Sequence, residues 1–131
     1  MTDQAIEQEI QAKGLTAPRV TPADIEANIA SEYYFTALDG VLGAYKYNND
    51  VRVEITAPCW EVPRSVEAIR LLTFCVLVLR NGFTVTGESA CASPENFNAE
   101  LGRKISRQNA VAKVWPLMGY ELKQRLSEGK A

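Results

Sequence analysis

Apolar and polar residues alternate with a period that changes along this chain, and the clearest change lies at its centre. Residues 71–79 (LLTFCVLVL) are apolar throughout, which is typical of a central strand covered on both faces. Residues 83–90 alternate between apolar and polar positions, which is typical of a strand with one wet face. Asn81-Gly82 between them favours a two-residue type I′ loop, which would place Val78 opposite Val85. The pattern predicts an Asn-Gly hairpin at the centre of a small antiparallel sheet.

Helical signals first become clear after residue 20. Thr21 is a suitable N-cap, Pro22 suits the first helical position, and Asp24 completes a capping box. Ile25, Ile29 and Tyr33 would lie on the apolar face of the same helix. These features predict a helix from about Pro22 to Tyr33.

A longer helical pattern follows the hairpin. Ser93 suits the N-cap and Pro94 fits the first helical position. Pro116 is expected to end this helix, and a short last helix is expected over about 120–126. The predicted buried stripe consists of Phe97, Leu101, Ile105, Ala112 and Trp115. Helices packed on a small antiparallel sheet make an α+β fold.

The remaining stretches are weaker signals. Residues 1–20 offer little to bury and are expected to form an arm that is either mobile or docked on a partner subunit. Asp39-Gly40 indicates a turn. Alternation over 51–56 indicates a strand that would pair with 44–47 as a second hairpin. Residues 21–131 are then expected to form a single domain.

Composition and charge exclude several classes of protein. A chain of 131 residues with 47% hydrophobic residues has enough apolar surface for a packed core. Its formal charge of −2 disfavours general nucleic-acid binding, which needs a basic excess to replace condensed counterions. The start of the chain is acidic, and the longest apolar run is far shorter than the ~20 residues of a membrane span. We expect a soluble protein of the cytoplasm.

The chain lacks the usual residues of enzymatic and metal chemistry. It has no histidine, which excludes Ser-His and Cys-His pairs, and nothing in the spacing demands a Ser-Lys pair at Lys104. The carboxylates do not cluster in a metal-binding pattern, and no glycine-rich phosphate loop is present. The three cysteines have no CxxC spacing, which favours free thiols. We expect neither an enzyme nor a metal or cofactor.

The junction between hairpin and second helix is the best candidate for a binding site. A helix that starts at Pro94 would offer unpaired backbone N–H groups to an anion, with Asn96 in its first turn. Arg103 and Arg107 are four residues apart and would project from the same side, where they can grip phosphate oxygens. Phe83 would offer a ring on which a base can stack. The predicted site is an anion pocket formed by these four side chains.

Each of these residues also has a purely structural interpretation. Arg103 and Arg107 would equally form ion pairs with Glu100 on a solvated face. Phe97, a second candidate for stacking, fits a core position, and Asn96 would equally support the helix cap. The residues alone therefore leave the pocket and a plain surface as alternatives.

The same stretch resembles a known family. NGF, V-x-G-x-S-x-C, P-x-NF, E-x-G-x-x-x-(small)-x-x-x-A and a closing W-P-L are the pattern of small tailed-phage and prophage proteins named for gene 49 of a coliphage and gene 66 of a Shigella phage. The resemblance covers most of residues 20–126, and 43–68 looks like an insertion in a variable connection. Ser106 departs from the alanine usual at its position. The matching positions include Asn81, Gly82, Phe83, Gly87, Ser89, Cys91, Asn96, Phe97, Glu100, Gly102, Ser106 and Ala110.

The resemblance carries an expectation about function. The layout is similar to phage anti-defence sponges, notably the anti-Thoeris type, which bind cyclic nucleotide-derived immune signals as oligomers without cleaving them. It implies a homo-oligomer in the host cytoplasm that holds a cyclic nucleotide or cyclic ADP-ribose-like ligand, with Arg103 and Arg107 on phosphate. One alternative is a phage accessory protein that binds a host or phage protein. Another is an enzyme that degrades such a signal.

Overall fold

The described residues, 2–47 and 62–130 of the computed structural model, form helices packed on one antiparallel sheet. The elements in chain order are α1 (Asp3–Ala12), α2 (Pro22–Asn28), β1 (Ile29–Thr36), α3 (Ala37–Tyr47), α4 (Val62–Arg70), β2 (Leu72–Leu79), β3 (Thr84–Ala90), a 3₁₀ turn (Pro94–Asn96) and α5 (Ala99–Ser127). The strand order is β1-β2-β3. The α+β class predicted from the sequence is therefore confirmed.

β2 is the central strand, as its apolar run predicts, but the predicted loop after it is wrong. The register places Val78 opposite Thr84, not Val85. Gly82 has a φ of 88°, whereas no non-glycine residue among those described has a positive φ, so Asn81 cannot belong to a type I′ turn. The backbone N–H of Leu79 donates to the carbonyl of Phe83, which leaves a three-residue loop with glycine in the left-handed position.

α5 closes one face of the sheet through small residues. Its buried positions are Gly102, Ser106, Ala110 and Val114, spaced four residues apart. A Cβ added at Gly87 of β3 would lie 2.2 Å from the backbone oxygen of Ser106, so helix and strand meet backbone to backbone. The predicted stripe is wrong at Leu101, Ile105 and Ala112, because the helix meets the sheet through its small residues instead, whereas Trp115 does pack against the core. Leu101 and Ile105 are 53% and 46% exposed.

The predicted helix from Pro22 to Tyr33 is correct only in its first half. Thr21 and Asp24 form the predicted capping box, and Ile25 is 1% exposed in the core. The helix ends at Asn28, and the next eight residues form β1. The aromatic and alternating sequence EYYFT fits a half-buried strand, and pairing with β2 outweighs the weak helical spacing.

α5 starts later and runs further than predicted. Pro94 opens only a 3₁₀ turn, and Ser93 makes no side-chain cap. The side chain of Asn98 caps α5 instead, accepting from the N–H of Leu101 at 3.1 Å. Pro116 lies inside the helix and does not end it. Because Val114 and Met118 on either side of it both pack on the core, tertiary contacts hold the helix together across the proline.

The connection after β1 is also helical. Thr36 and Asp39 form a second capping box, with N–H to side-chain distances of 3.0 and 3.1 Å. The predicted turn at Asp39-Gly40 is therefore wrong, and so is the strand at 44–47, which belongs to α3. The predicted strand at 51–56 lies outside the described residues, as does most of the insertion at 43–68.

The arm predicted at 1–20 contains α1. Glu7 is 8% exposed and accepts from both terminal nitrogens of Arg19. The indole N–H of Trp115 on α5 donates to Asp3 at 3.1 Å. Arg19 holds the pKa of Glu7 below its usual range, and this hydrogen-bonded pair ties α1 to the start of α2.

Candidate functional site

The buried stripe of α5 separates two flanks of this helix. Successive helical residues are about 100° apart, so residues before and after Gly102 project to opposite sides of it. Arg103 and Arg107 lie on the flank beside β1, where Arg107 reaches Glu32. Leu101 and Ile105 lie on the other flank, beside the last residues of β3. The arginine pair therefore shares one side, as predicted, but not the side that faces the hairpin–helix junction.

Arg107 joins three elements. Its Nε donates to Glu32 of β1 at 2.8 Å, and its two terminal nitrogens donate to Glu26 of α2 at 3.1 and 2.7 Å. The hydrogen bonds that Arg107 donates to Glu26 are the main cause that raises the pKa of Arg107, and the one it donates to Glu32 adds to this, while partial burial acts against both. The pairing predicted with Glu100 does not form, since Glu100 pairs with Lys104 at 3.3 Å.

Arg103 is the available member of the pair. Its side chain is exposed, and among the described residues it makes no hydrogen bond or ion pair. An exposed guanidinium without a carboxylate keeps all its donors for an external anion. Within the described part of the chain, the two arginines therefore differ: Arg103 has no carboxylate partner, whereas Arg107 already holds two.

Asn96 lies in a cavity of about 300 Å³ between the end of the β2–β3 pair and the start of α5. The hydrogen-bonding side chains that line it are those of Thr73, Ser89, Cys91, Asn96 and Asn98. Its apolar wall includes Phe97, Leu101 and Ile105. Asn96 belongs to the 3₁₀ turn and not to α5, so the predicted alignment of Asn96 with the arginines along one helix is wrong.

Arg70 brings positive charge close to this cavity, which the sequence pattern did not indicate. Its guanidinium carbon lies 5.7 Å from the ring centre of Phe97, within the range of a cation–π contact. Arg70 also donates to Glu67 of the same helix, which raises the pKa of Arg70 and lowers that of Glu67. Only the contact between α4 and the 3₁₀ segment reveals Arg70, because nothing in the spacing of residues 70 and 97 links them.

Phe83 lies at the opposite end of the hairpin, beside its loop. It is 55% exposed and lines a groove of about 410 Å³ together with Arg80, Asn81, Leu117 and Met118. The Nε of Arg80 donates to the carbonyl of Ala27, which fixes the guanidinium at the edge of this groove. Phe83 is thus available for stacking, but a single chain does not bring it together with Asn96, which lines the other cavity.

Cys75 and Cys91 are both free thiols. Cys75 is fully buried between β2 and α5, and this burial is the main cause that raises its pKa. Cys91 lines the cavity and its thiol donates to the carbonyl of Ser93 at 3.1 Å. Across residues 2–47 and 62–130, no three His, Cys, Asp or Glu side chains gather in a group that would hold a metal ion. No helix within those ranges is long and apolar enough to span a membrane.

Comparison with known proteins places the chain in a family. Residues 20–126 match the model of the "Phage protein (N4 Gp49/phage Sf6 gene 66)" family. Because the match covers most of the chain, the protein belongs to this phage family, as the motifs predict. No curated protein and no solved structure matches it.

Proposed function

We propose that this phage protein binds a cyclic nucleotide or cyclic ADP-ribose-like immune signal in the host cytoplasm and sequesters it without cleaving it. The observation that carries the proposal is the cavity of about 300 Å³ at the start of α5. Its hydroxyl and amide groups can read the edge of a base, and the ring of Phe97 with Arg70 above it offers a stacking surface.

The exposed guanidinium of Arg103 supports the proposal that the protein binds the phosphate groups of the ligand. It lies on the flank of α5 opposite the cavity, and it has no carboxylate partner among the described residues. A guanidinium–phosphate contact contributes about 1.5–3 kcal/mol, and stacking on an aromatic ring about 1–3 kcal/mol per base. Several such contacts together reach micromolar affinity.

The separation of the groups favours a homo-oligomer. The arginine flank, the cavity with Asn96 and the groove with Phe83 lie on different surfaces of one chain. A ligand that uses all of them must lie between copies, where each copy contributes a different surface. We therefore place the complete site at a subunit interface.

Titration calorimetry with cyclic dinucleotides, cyclic trinucleotides and cyclic ADP-ribose isomers tests the proposal. The expected result is binding in the micromolar range or tighter, with the ligand recovered intact after heat denaturation of the complex. Arg103→Ala should weaken it by about one to two orders of magnitude, since one charge-assisted contact is lost. Lys104→Ala is the matched control, because it removes a neighbouring exposed charge that already pairs with Glu100. Absence of heat with every ligand would reject the proposal, and a degraded ligand would indicate an enzyme.

A mixing experiment tests whether the site is shared between copies. Arg103→Ala and Asn96→Ala should each bind poorly alone. Subunits exchanged between the two variants should recover part of the binding capacity, because some interfaces then receive Arg103 from one copy and Asn96 from another. Unchanged capacity after exchange, verified by mass spectrometry, would place both residues in a site within one chain.

A phage accessory protein that binds a host or phage protein is the second candidate. The face of the sheet opposite α5 favours it, since Tyr33 and Phe35 are 57% and 38% exposed there. Tyr33→Ser should then abolish capture of a defined partner and leave ligand calorimetry unchanged. The opposite pair of results would favour the sequestering function.

A further inference from the structure

All three guanidinium nitrogens of Arg107 are engaged by carboxylates. Glu26 accepts from both terminal nitrogens and Glu32 accepts from Nε, at distances from 2.7 to 3.1 Å. A phosphate group approaches arginine through the same forked arrangement. The two glutamates therefore occupy the positions that phosphate oxygens would take.

The cluster also has the wrong net charge for a simple anion. One guanidinium faces two carboxylates, so the group of three carries a net negative charge. An arriving phosphate must displace hydrogen bonds that are already made and must do so against two like charges. A single phosphate that contacts only Arg107 gains nothing that offsets this cost.

The cluster is nevertheless reachable from solvent. The side chain of Arg107 is 29% exposed, and those of Glu26 and Glu32 are 58% and 39% exposed. Glu26 belongs to α2 and Glu32 to β1, so the glutamates are held by two separate elements. Both can rotate into water without disturbing the core, which makes displacement by a ligand feasible.

We infer that Glu26 and Glu32 are built-in competitors that protect Arg107 from the common phosphates of a cell. This inference rests on the proposed function, because it concerns the same arginine. A sequestering protein that bound inorganic phosphates or mononucleotides through Arg107 would be saturated before it met its signal. Only a ligand that gains additional contacts, at Arg103 and in the cavity or groove, displaces the glutamates. The glutamates thus set specificity at the expense of affinity.

The test uses inorganic pyrophosphate as the probe and Glu26→Gln with Glu32→Gln as the variant. The amides can still accept hydrogen bonds but carry no charge. We expect the double variant to bind pyrophosphate at least about tenfold more tightly than the wild type, because the charge opposing it has been removed. Adding Arg107→Ala in the same background should abolish this gain. Glu9→Gln with Glu128→Gln is the matched control, since it changes net charge equally at glutamates that pair with Lys13 and Lys130.

The outcomes separate this inference from the proposed function. Equal pyrophosphate binding by the wild type and the double variant overturns the inference, whatever the cyclic nucleotides do. Tighter pyrophosphate binding that Arg107→Ala reverses supports it, even if no cyclic nucleotide binds and the proposed function fails. An equal gain in the control pair overturns it as well, because general charge then explains the effect. If circular dichroism shows the double variant unfolded, Glu26→Gln alone is used, with the smaller gain expected from one carboxylate.

Discussion

The two faces of the sheet differ in how closely they are packed. On the face toward α5, a Cβ at Gly87 would lie 2.2 Å from the backbone oxygen of Ser106 and 2.3 Å from the backbone nitrogen of Ala110. On the other face, Tyr33 is 57% exposed and Phe35 is 38% exposed. Small residues bring backbones into contact on the first face, whereas the second carries large rings that contact solvent. The first face fixes the position of α5, and the second leaves apolar surface for other contacts.

This difference explains which family positions have a structural role. Gly87, Gly102, Ser106 and Ala110 belong to the family pattern, and all four lie in the close contact between α5 and the sheet. Their small size is required by the distance between the elements. The small size of these four residues is therefore explained by the fold.

Among substitutions on the face of the sheet toward α5, Gly87→Ala should lower the free energy of unfolding most. The atoms in its way belong to the backbone of α5, so the whole helix would have to move, which should cost about 3 kcal/mol or more and prevent stable folding. Urea denaturation followed by circular dichroism measures this. Gly119→Ala, with nothing within 4 Å of the added carbon, is the control and should stabilise the helix by about 0.5–1 kcal/mol. Wild-type stability of Gly87→Ala would show that α5 does not touch β3.

Truncations of neighbouring residues in β2 compare the two faces directly. Leu77 is fully buried toward α5, so Leu77→Ala should lose about 2–5 kcal/mol through lost burial and a cavity. Val76 lies on the other face and is only half-buried, so Val76→Ala should lose about 1 kcal/mol or less. Both free energies come from the same denaturation experiment. Equal losses would mean that the second face is as tightly covered as the first.

The sequence predicts those parts of the fold that depend on residues close together in the chain, and it misses parts that depend on tertiary contacts. The capping box at Thr21 and Asp24 and the buried run of β2 are local or strongly periodic, and both were predicted correctly. The helix continues through Pro116 because Val114 and Met118 make tertiary contacts on either side of it. The local signal of a proline therefore predicts an end that is too early. The buried stripe of this helix was missed because small buried residues give no hydrophobic signal.

The candidate site was less predictable, for the same reason. Four-residue spacing correctly placed Arg103 and Arg107 on one flank of α5. Spacing could not show that Arg107 would meet Glu26 and Glu32, which lie more than seventy residues earlier in the chain. The assignment of Arg103, Arg107, Asn96 and Phe83 to one ligand site stays a prediction.

Gly102→Ala, also on the face toward α5, should lower the free energy of unfolding by less than Gly87→Ala does. Its Cβ would lie 2.9 Å from the Thr73 hydroxyl, a buried side chain that has little room to turn. We expect a net loss of about 1 kcal/mol, since the helix gains up to about 1 kcal/mol from alanine and the contact costs about 1–3 kcal/mol. Thr73→Ala should suppress this loss, and a double-mutant cycle measures the coupling. Additive effects would show that the two side chains do not meet.

The adjacent residues Tyr33 and Tyr34 lie on opposite faces of the sheet, and an alkaline titration of their variants gives the smallest expected difference between the faces. Tyr34 points toward α5, where burial is the main cause that raises its pKa to about 12 from an ordinary value of 10.0. The neutral phenol therefore favours the folded state fully below about pH 10, and this contribution is lost as the pH rises through about 12. In an alkaline titration followed by tyrosinate absorbance, Tyr34→Phe should remove a late step near pH 12. Tyr33→Phe on the open face should retain that step, because it leaves Tyr34 and its burial unchanged. If Tyr33→Phe removed the late step instead, the assignment of these two residues to opposite faces of the sheet would be wrong.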